Sequence, residues 1–174
     1  VARVEVTGLD NIPQSGPALL ATNHLSMIDV PLIFTILPRR SICFAADQLQ
    51  KLPLVRWFLD LGDTIYVHRG EADQEALSRG LAVLRAGGLL GLAPEGTRSR
   101  SGGLERGHSG LAYLAAEAPA PILPVAAYGH EQIPGNLKRL RRTRVQLRVG
   151  PLIHVEPGEK SSAKLQRDTE RVMK

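Results

Sequence analysis

Residues 23–29, Asn-His-Leu-Ser-Met-Ile-Asp, set one imidazole and one carboxylate in a polar island between two apolar segments, residues 18–21 and 30–37. Histidine is the side chain best suited to accept a proton near neutral pH. A carboxylate on its far nitrogen fixes tautomer and ring orientation. His24 and Asp29 carry no strong nucleophile of their own, so they point to deprotonation of a nucleophile that belongs to the substrate. Five residues apart, they do not share a helical face. They meet if His24 lies in a turn and Asp29 in the first turn of a helix. Ser26 and Asp29 fit the Ser-x-x-acid pattern of a helix start, and Pro31 tolerates only an early helical position. The same residues read equally well as a plain helix start beside an ordinary turn histidine.

Three further patches follow apolar runs. Residues 62–70 end on His68-Arg69-Gly70, where a planar guanidinium just past a strand can reach a phosphate. His68 alternates away from Arg69 in the pleat, so one of the two faces any given site. Residues 93–102 hold Glu95, Gly96, Thr97, Arg98 and Arg100, a loop able to offer backbone N–H groups and arginines to an anion. It lacks the Gly-Lys-Ser/Thr ending of a Walker loop. Glu95 there would hold an arginine in place or contact a substrate hydroxyl. Plain surface loops with solvated arginines are the alternative for both patches. Residues 121–126 are almost wholly apolar, a core strand in which Pro124 implies an edge or irregular position able to line a groove.

The elements that must position these patches alternate. Strands are expected at residues 3–7, 18–22, 41–46, 64–67, 89–93, 122–128 and 145–149, with another at 152–155. Helices are expected at 30–37, at 49–61 with a break at Pro53, at 71–85 and at 109–117. This alternation predicts an α/β fold, one domain with a mixed, mostly parallel central sheet flanked by helices. Sites are then expected at the carboxyl ends of strands. The domain is placed at residues 1–155, with 156–174 a charged helix or tail, polar enough for partial disorder.

The 174 residues suffice for one core. Aromatics make up 4%, so that core rests on Leu, Val, Ile and Ala. A net charge of +5 favours an anionic partner: phosphate, nucleic acid or membrane surface. The single cysteine, Cys43, lies in an apolar run and excludes an internal disulfide; it reads as a buried small side chain in a reducing compartment. No metal-ligand spacing is present, and no apolar run approaches the roughly 18 residues of a membrane span. A membrane anchor outside these limits stays open.

The patches in this order resemble the glycerolipid acyltransferase family, typified by 1-acyl-sn-glycerol-3-phosphate (lysophosphatidic acid) acyltransferases. Asn23-His24 through Asp29 matches its Asn-His-x4-Asp motif, residues 62–69 its second block, Glu95-Gly96-Thr97-Arg98-Ser99 its third and Ile122-Leu123-Pro124-Val125 its fourth. The likeness runs from about residue 3 to 154. The first and third motifs at this separation are specific; the second and fourth are weak alone.

That resemblance implies an acyltransferase domain at the cytoplasmic face of a membrane. His24 would be the general base on the free hydroxyl of a lysophospholipid, and Asp29 would orient it. The donor would be acyl-CoA or acyl-carrier-protein, with no other cofactor. Arg69, Gly96, Thr97 and Arg98 would hold the phosphate, with Glu95 shaping their loop. Arg100 and Arg106 would add phosphate or donor contacts, Arg106 standing where the family often has lysine, and Pro124 would line the acyl groove. The basic run at residues 138–144 could face anionic headgroups, or be a solvated loop. Docking could use a segment outside the chain or the stripe at Leu54, Trp57, Phe58 and Leu61.

Two other functions make different demands. A serine hydrolase would need glycine where Leu111 follows Gly107-His108-Ser109-Gly110. A non-catalytic lipid- or nucleic-acid-binding module would work through the basic surface, but scarce aromatics disfavour base stacking. Glycerol-3-phosphate, another lysophospholipid or a glycolipid would suit the same basic pocket.

Overall fold

Residues 18–22 show no polar alternation, the pattern of a strand covered on both faces, and all five are buried. They form the second of seven strands. The computed structural model describes residues 2–68, 73–99, 101–155 and 161–173. In chain order its elements are β1 (Ala2–Thr7), β2 (Ala18–Thr22), α1 (Asp29–Phe34), β3 (Ser41–Ala46), α2 (Pro53–Leu61), β4 (Ile65–Val67) and α3 (Gln74–Arg85). They continue with β5 (Leu89–Leu92), α4 (Gly110–Glu117), β6 (Ile122–Tyr128), α5 (Ile133–Lys138), β7 (Thr143–Val149) and α6 (Ser162–Val172).

The strands lie in the order β1-β7-β6-β2-β5-β3-β4. Every pair is parallel except β6 with β7. The expected α/β domain with a mixed, mostly parallel sheet is therefore what the chain builds. Because β6 and β2 are parallel neighbours, their carboxyl ends open on the same side of the sheet. β7 runs the other way, so its entry from the basic run lies at that same end.

Successive residues of the central strands feed opposite faces. Leu19, Leu90 and Ile122 pack with Leu81, Leu84, Leu111 and Leu114 of α3 and α4. Leu20, Leu89 and Leu123 pack on the other face with Ile12 and Ile33. Gly80 lets α3 lie close on the sheet, since a Cβ there would sit 2.8 Å from Phe44 Cζ.

Several expectations change. The first helix begins at Asp29 and ends at Phe34. Pro53 starts α2 rather than breaking it, its missing N–H being harmless in a first turn. The strand expected at 152–155 reduces to one bridge, Ile153 to Ile122. Of the helix and the tail offered for the charged C-terminal segment, Ser162–Val172 takes the helical form as α6, which packs against α4 with Leu165 and Thr169 buried.

Pro124 lies in an interior strand, not at an edge. Its carbonyl accepts from Gly150 N (2.9 Å), just past the end of β7, and the chain pairs again only at Ile153. A proline fits there because the ladder is already interrupted.

Candidate active site

β2 ends at Thr22, and Asn23 extends its pairing with β6 through a side chain. Asn23 Nδ2 donates to Ala127 O (2.9 Å), and Ala127 N donates to Asn23 Oδ1 (2.8 Å). The amide thus acts as one more rung of the ladder and fixes where the chain turns. His24 follows in that turn, and Asp29 opens α1. This is the arrangement their five-residue spacing requires, and His24 Nδ1 lies 2.6 Å from Asp29 Oδ2.

Asp29 is held from all sides. Leu25 N donates to Oδ2 (2.9 Å), Ser26 N donates to Oδ1 (3.0 Å), and a second imidazole, His130, donates through Nε2 to Oδ1. Ser26 does not cap the helix as expected; its Oγ accepts from Ile28 N (3.3 Å). Burial by itself would push the Asp29 carboxyl up. The hydrogen bonds from His130, His24 and the Ser26 amide, with the charge of His130, outweigh it and hold the group at about 2. Asp29 is therefore an ionised acceptor at neutral pH. An acceptor-only carboxylate requires N–H on Nδ1 of His24, which leaves Nε2 as the nitrogen with the lone pair. The His24 side chain is 22% exposed, against 1% for Asp29. One nitrogen is buried on its acid, and the ring still reaches the surface.

The loop after β5 grips the backbone of the same histidine. Glu95 is 2% exposed. Its Oε1 accepts from His24 N (2.8 Å) and its Oε2 from Glu105 N (2.9 Å). Ser99 N donates to His24 O (2.8 Å). Glu95, grouped with the phosphate residues on sequence grounds, spends both oxygens on backbone N–H groups, so shaping the loop is the part it plays here.

Gly96, with φ 66°, turns the loop, and Gly96, Thr97 and Arg98 are exposed. Arg106 is exposed too. Arg69 and Arg100 lie outside the described residues. Pro124 is partly buried inside β6. Among the described residues no group of histidine, cysteine and acid side chains is placed to hold a metal ion.

His130 is the residue that sequence reading missed. The signal was present: Gly129-His130 directly follows a strand at its carboxyl end, as the polar island at residue 23 does.

A base on an ionised acid, beside a glycine-rich loop that presents arginine, can take a proton from a bound alcohol. Comparison with known proteins gives the family. The acyltransferase family model matches residues 3–128. A 1-acyl-sn-glycerol-3-phosphate acyltransferase of Borreliella burgdorferi is 31% identical over 129 residues, 72% of this chain and 51% of that protein. A lyso-ornithine lipid O-acyltransferase of Pseudomonas aeruginosa is 31% identical over 120 residues, 68% of this chain and 46% of that protein. The chain thus spans about half the length of these curated relatives. In structure it is similar to the 1-acyl-sn-glycerophosphate (LPA) acyltransferase PlsC of Thermotoga maritima. That match has a TM-score of 0.78 at 24% identity and covers 99% of this chain and 69% of the other. With the family model matched over residues 3–128, most of the chain, this chain belongs to the acyltransferase family.

Proposed function

We propose that this domain transfers a fatty acyl group from an acyl thioester, acyl-CoA or acyl-carrier-protein, to the free hydroxyl of lysophosphatidic acid. The observation that carries the reading is the 2.6 Å contact of His24 Nδ1 with an ionised, buried Asp29, which directs the lone pair to Nε2. The acceptor's O–H proton passes to Nε2. Its oxygen attacks the thioester carbonyl carbon, the C–S bond breaks, and the leaving thiolate takes the proton back. The products are phosphatidic acid and a free thiol. Asp29 stabilises the transient imidazolium, and no acyl-enzyme intermediate is needed because the substrate supplies the nucleophile.

Arg98, with Arg69, Gly96 and Thr97, holds the phosphate; Arg100 and Arg106 add charge for phosphate or donor, and Pro124 borders the acyl groove. The domain works at the cytoplasmic face of a membrane. Two surfaces support that placement. Lys138, Arg139, Arg141 and Arg142 are exposed at the entry to β7, the same end of the sheet as His24. Each near-surface charge is worth about 1 kcal/mol against anionic lipid. On α2, Leu54 is 78% and Trp57 62% exposed, so the apolar stripe faces outward. Among the described residues, no helix is long and apolar enough to cross a membrane.

The test mixes protein, acyl-CoA and acceptor and measures released thiol. Release that requires lysophosphatidic acid and disappears in His24→Ala is expected. Release without acceptor would mark a hydrolase, and none at all beside salt-sensitive vesicle binding would mark a non-catalytic module. Glycerol-3-phosphate, other lysophospholipids, lyso-ornithine lipid and glycolipids in the same assay rank the acceptors.

A further inference from the structure

The acyl-transfer scheme uses one of the two imidazoles bonded to Asp29. The other, His130, is fully buried. Its Nε2 meets Oδ1, the oxygen that the His24 ring leaves to it. The placement is built by the backbone. Gly129, with φ 85°, turns the chain out of β6, and a side chain there would run into the carbonyl oxygen of Arg144. His130 then opens a single 3-10 turn through Gln132. Nothing else accounts for a buried imidazole here. Its Nδ1 has no hydrogen-bond partner among the described residues, and Glu131 Oε2 stands 3.7 Å away. A buried nitrogen left unbonded costs stability, so the contact that offsets it is the one with Asp29.

We propose that His130 is a positioning residue for the base, the third member of a line His24–Asp29–His130. By donating to Oδ1 it stops the carboxylate turning about its Cβ–Cγ bond and keeps Oδ2 against Nδ1 of His24. It also takes a share of the carboxylate's charge. A carboxylate shared between two donors stabilises the His24 imidazolium less than an unshared one. His130 therefore divides the carboxylate between two imidazoles, one on each oxygen. The other ionisable groups in contact with the line are Glu131 beside Nδ1 of His130 and Glu95 on the backbone N–H of His24. The inference rests on His24 being the general base.

Three variants of the full chain test it. His130→Gln keeps a donor at about the reach of Nε2, His130→Met fills the space without one, and His130→Asn is polar but too short. In histidine-labelled protein, NMR follows the His24 ring through its titration with no substrate present. The expected result is a midpoint displaced upward from the parent in His130→Met and His130→Asn and close to the parent in His130→Gln. In the thiol-release assay the acid limb of kcat/KM should move by the same amount, with the acceptor KM unchanged. A His24 midpoint identical in every variant that folds, with only thermal stability altered, would overturn the proposal and leave His130 a packing residue. A shifted midpoint in a chain that releases no thiol with any acceptor supports the coupling and counts against acyl transfer instead.

Discussion

At the β2–α1 junction both oxygens of Asp29 are bonded, and the backbone of His24 is gripped on its N–H and its carbonyl. In the adjoining loop, Gly96, Thr97, Arg98 and Arg106 stand exposed. The two regions meet at the Ser99–His24 bond, yet one is finished before substrate arrives and the other is not. The difference follows from what each must do. Proton transfer needs reacting atoms held within a few tenths of an ångström, which only a buried, fully bonded frame supplies. Capturing an anion at a membrane surface needs charge that water and lipid can reach. The junction therefore governs rate, and the loop governs capture.

Asp29→Asn attacks the finished side and should cost most, lowering kcat about 10²- to 10⁴-fold with little change in acceptor KM, since the amide no longer enforces the tautomer of His24. The same carboxylate carries a pH signature. It is depressed from 3.8 to about 2, so its contribution to stability is complete above about pH 4 and is lost as pH falls towards 2. That contribution is about 2 kcal/mol. Acid unfolding of the parent and of Asp29→Asn should therefore differ most above pH 4 and converge near pH 2; parallel curves would remove Asp29 from the frame.

Glu95→Gln tests the seam. An amide cannot accept from both His24 N and Glu105 N, so one part-buried backbone donor loses its acceptor, at about 1 kcal/mol of stability. Thermal unfolding should show it, with a fall in kcat as the His24 backbone loosens. A raised KM with kcat intact would instead return Glu95 to the phosphate group.

Arg98→Ala attacks the unfinished side. It should raise acceptor KM by about tenfold, less at high salt, and leave kcat nearly unchanged. If Arg98→Ala and Asp29→Asn moved KM equally, the division between rate and capture would be wrong. Trp57→Ser should have the smallest effect, a loss of vesicle binding of about two- to fivefold with activity on dispersed substrate preserved. Equal losses on vesicles and dispersed substrate would show that α2 serves the fold.

Most of the strand positions along the chain were legible because buried strands advertise themselves as short apolar runs; β2, β3 and β6 fall where those runs lie. α5 and the 3-10 turn that His130 opens were not legible as elements, although a histidine just past the end of a strand was. Both are too short for a periodicity to show. Pro124 left two positions open for a related reason: proline excludes a regular ladder, but whether the ladder is interrupted at an edge or inside the sheet depends on where β7 stops. The stripe on α2 was plain as a pattern, whereas its outward face depends on which side Leu59 buries.

By itself the sequence determined the alternation of strands and helices, and it offered, beside a plain helix start, a turn in which residues five apart meet and an imidazole lies on an acid, since these depend on neighbours along the chain. Only the tertiary structure decided that His130, 101 residues from Asp29, shares its carboxylate, and that Glu95 braces the backbone of His24. Pairing across such distances is set by strand order and by burial, and neither is written in any local stretch of residues.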